Sequence, residues 1–190
     1  MSYLELPLER FLEMLAAREP VPGGGGAAAG AVAMGAGLTA MAARYSNKRL
    51  EDASELAAKA DEIRVSVQSL VDKDAAAYSR VLEVYRSEER KGLKDALSAA
   101  ADVPLSIAAA AAELSELAVS IAERGNPNLR GDAVTGALLA EAGAQAAALL
   151  VNLNLDLAQI EDERRGRCRD LLRVTEGARR RALATGDEKQ

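Results

Sequence analysis

The chain of 190 residues has no histidine, no tryptophan and a single cysteine, Cys168. Without histidine, and with only one thiol, the usual zinc and copper ligand sets and the Ser–His and Cys–His nucleophile pairs are excluded. A single cysteine also excludes a disulfide within the chain, which fits a reducing compartment. We therefore expect no metal centre and a cytoplasmic location.

Aromatic residues make up only 3% of the chain, whereas alanine is abundant, and this balance favours close-packed helices over sheets. The net charge of −5 argues against a nucleic-acid surface. The charge-free run from Ala27 to Ala43 has 17 residues, mostly alanine and glycine, and is too short and too weakly apolar against the roughly 20 strongly apolar residues that a membrane span needs. We expect neither a nucleic acid nor a membrane as partner.

Turn residues and apolar periodicity divide the chain into about seven helices. The expected helices end near Arg18, Tyr45, Arg86, Ala100, Arg124, Ile160 and Ala184, with a separate helix starting at Asp102 and carrying Pro104 in its first turn. We predict an all-α fold, an antiparallel bundle of about six to seven helices in a single domain over residues 1–190. Several of these helices carry two apolar faces, which predicts a homodimer.

Four consecutive glycines follow Pro22 and lead into a helix of small residues. Each glycine loses more backbone entropy on folding than any other residue, so this segment costs stability. Backbone N–H groups at such a helix start are unobstructed and lie at the positive end of the helix dipole, which suits an anionic or polar ligand. Alternatively, the small residues let two helices touch, and the segment alone leaves both explanations open.

Asp74 lies on the apolar stripe of the long helix, three residues after Val71 and four before Tyr78. A carboxylate in an apolar seam is costly unless it is paired or functional. Desolvation would raise its pKa and let it act as a general acid. The structural alternative is an Asp bonded to a neighbouring helix, for example to Arg44 or Lys48.

A second polar cluster consists of Asn126, Asn128 and Asp132 in the sequence GNPNLRGD. Turn and helix-cap chemistry explains much of this cluster, because Asn and Asp bond readily to nearby backbone. Farther along, Asn154 lies among leucines.

Five segments of the chain, taken in order, resemble those of the cyclodeaminase/cyclohydrolase family of folate enzymes, and the resemblance covers nearly the whole chain. That family includes the C-terminal domain of formiminotransferase-cyclodeaminase and bacterial methenyltetrahydrofolate cyclohydrolases. The matching segments are PVPGGGG from Pro20, DKDAAAY from Asp72, VPL from Val103, GNPNLRGD from Gly125 and LNL from Leu153.

The resemblance implies a dimeric helical enzyme acting on the N5/N10 bridge of tetrahydrofolate, as a formimidoyltetrahydrofolate cyclodeaminase, a methenyltetrahydrofolate cyclohydrolase, or both. It assigns the proton donor to Asp74 and needs no cofactor beyond the tetrahydrofolate substrate, polyglutamylated or not. Arg44, Lys48 and Arg49 are candidates for binding the glutamate carboxylates, and the alternative is that they are solvated loop charges. The implied substrate-binding residues are Pro22, Gly23, Gly24, Gly25, Gly26, Asn126, Asn128, Asp132 and Asn154.

Three positions depart from the family pattern. Gly26 and Gly131 replace serines, and Leu150 replaces an asparagine. Each replacement removes a hydrogen-bonding group. The alternative function is therefore a catalytically silent helical dimer that binds folate or serves as a scaffold.

Overall fold

The computed structural model describes residues 2–184, and within them it contains six α-helices and no strand. Two short 3₁₀ helices, Tyr3–Glu5 and Pro127–Leu129, precede the first and the fifth α-helix. The all-helical class predicted from the sequence is confirmed. The six helices are α1 (Leu8–Ala16), α2 (Gly24–Arg44), α3 (Ala53–Arg86), α4 (Leu93–Arg124), α5 (Arg130–Ala158) and α6 (Glu163–Ala184).

Helix α2 lies at the centre of the bundle, in contact with α3, α4 and α5, while α6 packs on α4 and α5. The central position of α2 follows from its composition, because a helix that is apolar on all sides is stable only when other helices cover all of those sides. Eleven of its residues are buried, most of them alanine or glycine. The largest buried side chains around it include Val67 of α3 and Ile107 and Leu114 of α4.

Glycines bring α2 and α5 unusually close together. A Cβ on Gly143 would lie 2.4 Å from the Val32 side chain, and one on Gly136 would lie 2.5 Å from the Thr39 hydroxyl. A Cβ on Gly35 would lie 2.9 Å from the Gly136 carbonyl oxygen. The close-packing explanation is therefore correct for these glycines, which lie beyond the four at the start of α2.

The boundary predicted near Ala100 is wrong, because α4 continues through Pro104 as one helix. Asp102 does not cap a helix but receives a 2.7 Å ion pair from Arg164 of α6. The sequence signal was misleading, since a proline preceded by an Asp resembles a helix start whether or not a helix already runs through it. At the other end of the bundle, α2 begins at Gly24, so the glycines themselves form its first turn.

Three stretches, Gly24–Arg44, Leu93–Arg124 and Pro127–Ala158, are long and apolar enough to cross a membrane by length and composition alone. The expectation that the small-residue run is too short and too weakly apolar for this is therefore wrong. In the bundle these stretches pack against one another, and about half or more of each is buried.

Candidate active site

A cavity of about 390 Å³ lies at the start of α2, where the middle of α3 and the end of α5 meet it. Three predicted site glycines, Gly23, Gly24 and Gly25, line it together with Asp74 and Asn154. These residues come from three separate parts of the chain, so the fold brings the glycine segment, the DKDAAAY segment and the LNL segment together. The remaining lining residues are Pro20, Val21, Ala77, Tyr78, Ala100, Leu150, Leu153 and Leu157.

Asp74 lies directly against the first turn of α2. The backbone N–H of Gly26 donates a hydrogen bond to its carboxylate. Gly23, the N-cap residue of α2, has no side chain to satisfy the N–H groups that a helix start leaves free. Asp74 therefore serves from α3 as the acceptor that a capping side chain would normally supply.

Gly25 makes this contact possible because it has no side chain. A Cβ on Gly25 would lie 2.0 Å from Oδ1 and 2.2 Å from Cγ of Asp74. The other glycines of the segment are less constrained: a Cβ on Gly24 or Gly26 would make only ordinary contacts of 3.6 Å or more. Of the four glycines, Gly25 is the one that Asp74 requires.

The environment of Asp74 favours its protonated form. Burial raises the pKa of the Asp74 carboxyl above its ordinary value of 3.8, and the hydrogen bond from Gly26 offsets part of that rise. As the structural alternative from the sequence predicts, Asp74 is bonded to a neighbouring helix, but through the Gly26 backbone N–H and not through Arg44, which pairs with Asp61. Asp74 has the backbone of α2 and the open cavity as its neighbours.

Across the cavity from this turn, Asn154 of α5 donates from Nδ2 to the backbone oxygen of Ala100 at 3.4 Å. Tyr78 contributes an aromatic ring to the wall and is 43% exposed. Tyr78 lies four residues after Asp74 on the apolar stripe of α3, a spacing that places the two side chains on one face of the helix.

Pro22 and Gly26 lie behind the cavity wall. Both are buried, and Pro22 is 3.6 Å from where a Cβ on Gly26 would be. The Val21–Pro22 peptide bond is cis. These two residues support the turn, and neither is among the residues that line the cavity.

The loop that carries Asn126, Asn128 and Asp132 is at the opposite end of α2. The Asn126 backbone N–H donates to the Ser46 hydroxyl at 2.8 Å, and its side-chain amide donates to the Tyr45 carbonyl at 3.1 Å. The Asn126 side-chain oxygen accepts from the Asn128 backbone at 3.1 Å. These bonds are the turn-and-cap chemistry expected as one alternative.

Helix α2 has 21 residues, so its two ends are about 30 Å apart. Asn128 is exposed and Asp132 is half-buried in the first turn of α5. Arg44, Lys48 and Arg49 are exposed at this same end. Within one chain, these residues therefore lie about 30 Å from the end of α2 that contacts Asp74.

A sequence-family comparison agrees with the five matching segments, three of which meet at this cavity. A family described as formiminotransferase-cyclodeaminase matches residues 7–169. The chain belongs to this family.

Named relatives of the formiminotransferase-cyclodeaminase family cover much of the chain. A methenyltetrahydrofolate cyclohydrolase from Methylorubrum extorquens is 35% identical over 162 residues, which are 77% of this chain and 78% of that protein. A formimidoyltransferase-cyclodeaminase from Mus musculus is 30% identical over 81% of this chain, and the match spans only 31% of the mouse protein.

A solved structure shares the fold over nearly all of both chains. The formiminotetrahydrofolate cyclodeaminase from Thermotoga maritima has a TM-score of 0.84 with this chain and 29% sequence identity, and 96% of each chain is covered.

Two of the three departures from the family pattern lie near the cavity. Leu150 lines it, and its methyl groups are 3.7 and 3.8 Å from where a Cβ on Gly24 would be. Gly26 lies behind it and contributes its backbone N–H to Asp74. The third, Gly131, is exposed at the far end of the bundle. The site therefore depends on backbone groups and apolar surface where the family pattern has side-chain hydrogen-bonding groups.

Proposed function

We propose that this protein is an enzyme of folate one-carbon chemistry that acts on the N5/N10 bridge of tetrahydrofolate, as a cyclodeaminase, a cyclohydrolase, or both. The observation that carries the proposal is the Asp74 carboxyl, which faces the cavity. Its pKa is raised, and it has no cationic partner among residues 2–184. The relatives named above act on this same class of compound by their names.

A group that transfers a proton near neutral pH needs a pKa closer to neutrality than that of an ordinary carboxyl. Burial supplies the rise for Asp74, and the Gly26 N–H holds the carboxyl in one place. The cavity has apolar walls, including Leu150 and Leu153, and the ring of Tyr78 offers a flat face to a planar heterocycle.

In the cyclodeaminase reaction, N10 attacks the formimidoyl carbon attached to N5, and the proton of N10 passes to the imino nitrogen. The C–N bond to the resulting amino group then breaks as Asp74 gives it a proton. Ammonia leaves, and the positively charged 5,10-methenyl bridge remains. A positioned general acid of this kind accelerates a reaction by about 10²–10⁴-fold.

In the cyclohydrolase reaction, water adds to the bridging carbon of the methenyl form. The bond from that carbon to N5 breaks, N5 receives a proton through Asp74, and the 10-formyl form results with the release of one proton. Both reactions combine positioning with one proton carrier, which is what this cavity offers.

The absorbance of the methenyl form provides the test. Purified protein is given 5-formimidoyltetrahydrofolate and, separately, 5,10-methenyltetrahydrofolate. We expect the wild type to form or consume the methenyl compound in at least one assay, and Asp74→Asn to lose about 10²-fold or more of kcat because it cannot donate a proton.

The matched control is Asp72→Asn in the same segment. Asp72 accepts hydrogen bonds from the Ser2 hydroxyl and the Tyr3 backbone N–H at 2.9 Å, so it anchors the N-terminal segment and does not line the cavity. It should keep its kcat. Equal activity of the wild type and Asp74→Asn would contradict the proton-donor role, and folate binding without turnover by the wild type would favour the silent binder.

We also propose that the protein is a homodimer. The outer face of α5 exposes three leucines, with Leu149 at 59%, Leu153 at 46% and Leu157 at 71% exposure. Large apolar side chains in a row on one helix are typical of an interface. A second copy is also the only source from which Asn128 and Asp132 of an equivalent loop would approach a ligand bound at Asp74.

Sedimentation gives the first test of this dimer, since a monomer at micromolar concentration contradicts it. Mixing two inactive variants, Asp74→Asn and Asp132→Ala, gives the second. If the site combines Asp74 of one copy with Asp132 of the other, mixed dimers contain one intact site and activity returns. If the mixture of the two variants stays inactive, the site is formed within one chain and the shared site is contradicted.

We further propose a cytoplasmic location, a single working domain over residues 1–190, and a reaction with no cofactor beyond the tetrahydrofolate substrate, polyglutamylated or not. Met1 and residues 185–190 lie outside the described residues. Cys168 supports the location, since it is a buried free thiol whose pKa is raised by burial. We propose neither a membrane nor a nucleic acid as partner.

A further inference from the structure

Pro104 lies inside α4 and is fully buried, although a proline in a helix interior usually costs about 3 kcal/mol. Proline has no backbone N–H, so it cannot donate the hydrogen bond that the carbonyl four residues earlier normally receives. That carbonyl belongs to Ala100, and Ala100 lines the cavity.

The Ala100 carbonyl receives a side-chain donor in place of the missing one. Asn154 Nδ2, from the end of α5, is 3.4 Å from the Ala100 oxygen. Both residues line the same cavity. The LNL segment thus donates to a carbonyl that is free because of the proline in the VPL segment, although the two segments are far apart in the sequence.

This contact also decides which end of the Asn154 amide is available. Once Nδ2 is directed at Ala100, the remaining polar atom is Oδ1, an acceptor. Within residues 2–184, Oδ1 has no hydrogen-bond partner, and it is not among the buried unsatisfied atoms. Because Asn154 lines the cavity, a carbonyl-type acceptor is therefore available there.

The α4 turn around Ala100 is held in place from α6. The Arg164 guanidinium donates to the Ser98 carbonyl at 2.8 Å and to the Ser98 hydroxyl at 2.9 Å. The Arg164 side chain is only 15% exposed. The Ala100 carbonyl is thus presented by a braced segment, which favours a fixed direction for the Asn154 amide.

We propose that Pro104 is a positioning residue for substrate: it frees the Ala100 carbonyl, which orients Asn154 so that Oδ1 accepts an N–H of the bound heterocycle. This inference rests on the proposed folate function, because that function supplies a ligand with ring N–H groups. It assigns Asn154 to binding and leaves the proton transfer to Asp74. Disturbing Pro104 should therefore change KM and leave kcat nearly unaltered.

The experiment compares KM and kcat of Pro104→Ala, Asn154→Ala and the double variant, with tetrahydrofolate binding measured directly. Pro104→Ala restores a backbone N–H for Ala100 and releases Asn154. One lost hydrogen bond corresponds to a rise in KM of about 5- to 10-fold. We expect each single variant to show this rise, and the double variant to be no worse than either, because both changes remove one contact.

Val103→Ala is the matched control. It removes a comparable volume from the neighbouring, half-buried position and leaves the backbone hydrogen bonds unchanged. Its KM should stay close to that of the wild type. Circular dichroism and urea unfolding of every variant identify any change in KM or kcat that comes from a poorly folded protein.

Asn154→Asp gives a measurement independent of the folding of Pro104→Ala. Its carboxylate cannot donate to Ala100, and the two oxygens repel each other, so binding should weaken at least as much as in Asn154→Ala. In the Pro104→Ala background the Ala100 oxygen is satisfied, and the additional loss from Asn154→Asp should shrink.

Additive effects of Pro104→Ala and Asn154→Ala, or an unchanged KM in Pro104→Ala, would overturn the inference. These results are distinguishable from a failure of the proposed function, in which the wild type itself shows neither turnover nor tetrahydrofolate binding.

Discussion

The two ends of α2 carry the two segments that most suggest ligand binding, and they are built differently. At the Gly24 end, Asp74 is held by one backbone N–H and faces a cavity with the rest of its carboxylate unpaired. At the Arg44 end, Ser46 and Asn126 satisfy each other and the nearby backbone. A polar group that is left partly without hydrogen-bond partners beside a cavity indicates a role in ligand binding or catalysis. Polar groups that all bond to one another and to the backbone indicate a structural role.

The largest functional effect is expected from one added carbon at the Gly24 end of α2. Gly25→Ala places a Cβ 2.0 Å from the Asp74 carboxylate, so the carboxyl must leave its position. We expect kcat to fall by about 10²-fold or more, as for Asp74→Asn, and the two changes to be non-additive.

Gly30→Ala is the control for this variant, because it lies in the same helix and a Cβ there meets nothing within 4 Å. Steady-state kinetics in the methenyl assay measure all three variants. A Gly25→Ala protein with the kcat of Gly30→Ala would show that Asp74 does not need its contact with α2.

A change at the other end should affect stability and not proton transfer. The Ser46 hydroxyl accepts from Asn126 and donates to the Ala42 carbonyl at 2.7 Å, and Ser46 is buried. Ser46→Ala leaves the Asn126 N–H unpaired, which should cost about 1–3 kcal/mol of unfolding free energy in urea titrations. If kcat fell as far as in Gly25→Ala, the two ends would not be functionally distinct.

The pH dependence of stability should reveal Asp74. Because its pKa is raised, the folded protein retains a proton that the unfolded chain has already released. Stability attributable to Asp74 therefore falls as the pH rises from the ordinary value of 3.8 through the raised native pKa.

Asp74→Asn removes this pH-dependent loss. The variant should be more stable than the wild type at neutral pH, and the difference should disappear below the ordinary pKa. Urea unfolding at several pH values measures it. A gain that persisted unchanged in acid would have another origin.

The smallest expected effect is at Gly131, a departure from the family pattern at the far end. It is in the first turn of α5, and a Cβ there meets nothing within 4 Å. Gly131→Ala should raise the unfolding free energy by at most about 1 kcal/mol, through the reduced entropy of the unfolded chain. Thermal unfolding measures the change, and a clear loss of stability would mean that the turn requires glycine.

Much of the fold was predictable from local patterns. The C-terminal ends of three helices, near Tyr45, Arg86 and Arg124, were predicted to within a residue of the structure, because glycine, proline and charged turns interrupt helices locally. The boundary placed between Ala100 and Asp102 was wrong. A proline in the middle of a helix is tolerated only with tertiary support, and that support comes from elsewhere in the chain.

The candidate site was partly predictable. Asp74 was identified from its place on an apolar stripe, and the glycines from their backbone cost, since both are properties of adjacent residues. The sequence did not identify Tyr78, Ala100 and Leu150 as cavity residues, because the local sequence of a helix does not specify which other helix each residue contacts. The distance between the Asn126 loop and Asp74 was likewise not visible in the order of the segments.

From the sequence alone it follows that this protein is helical, lacks histidine chemistry and carries the Asp74 carboxyl on an apolar helix stripe. These properties follow from composition and from helical periodicity, which act over a few residues. Only the tertiary structure decided that Gly25 makes room for Asp74, that Pro104 frees a carbonyl for Asn154, and that Asn126 is at the other end of α2. Those facts depend on how helices far apart in the chain pack together, and periodicity within one helix does not specify its neighbours.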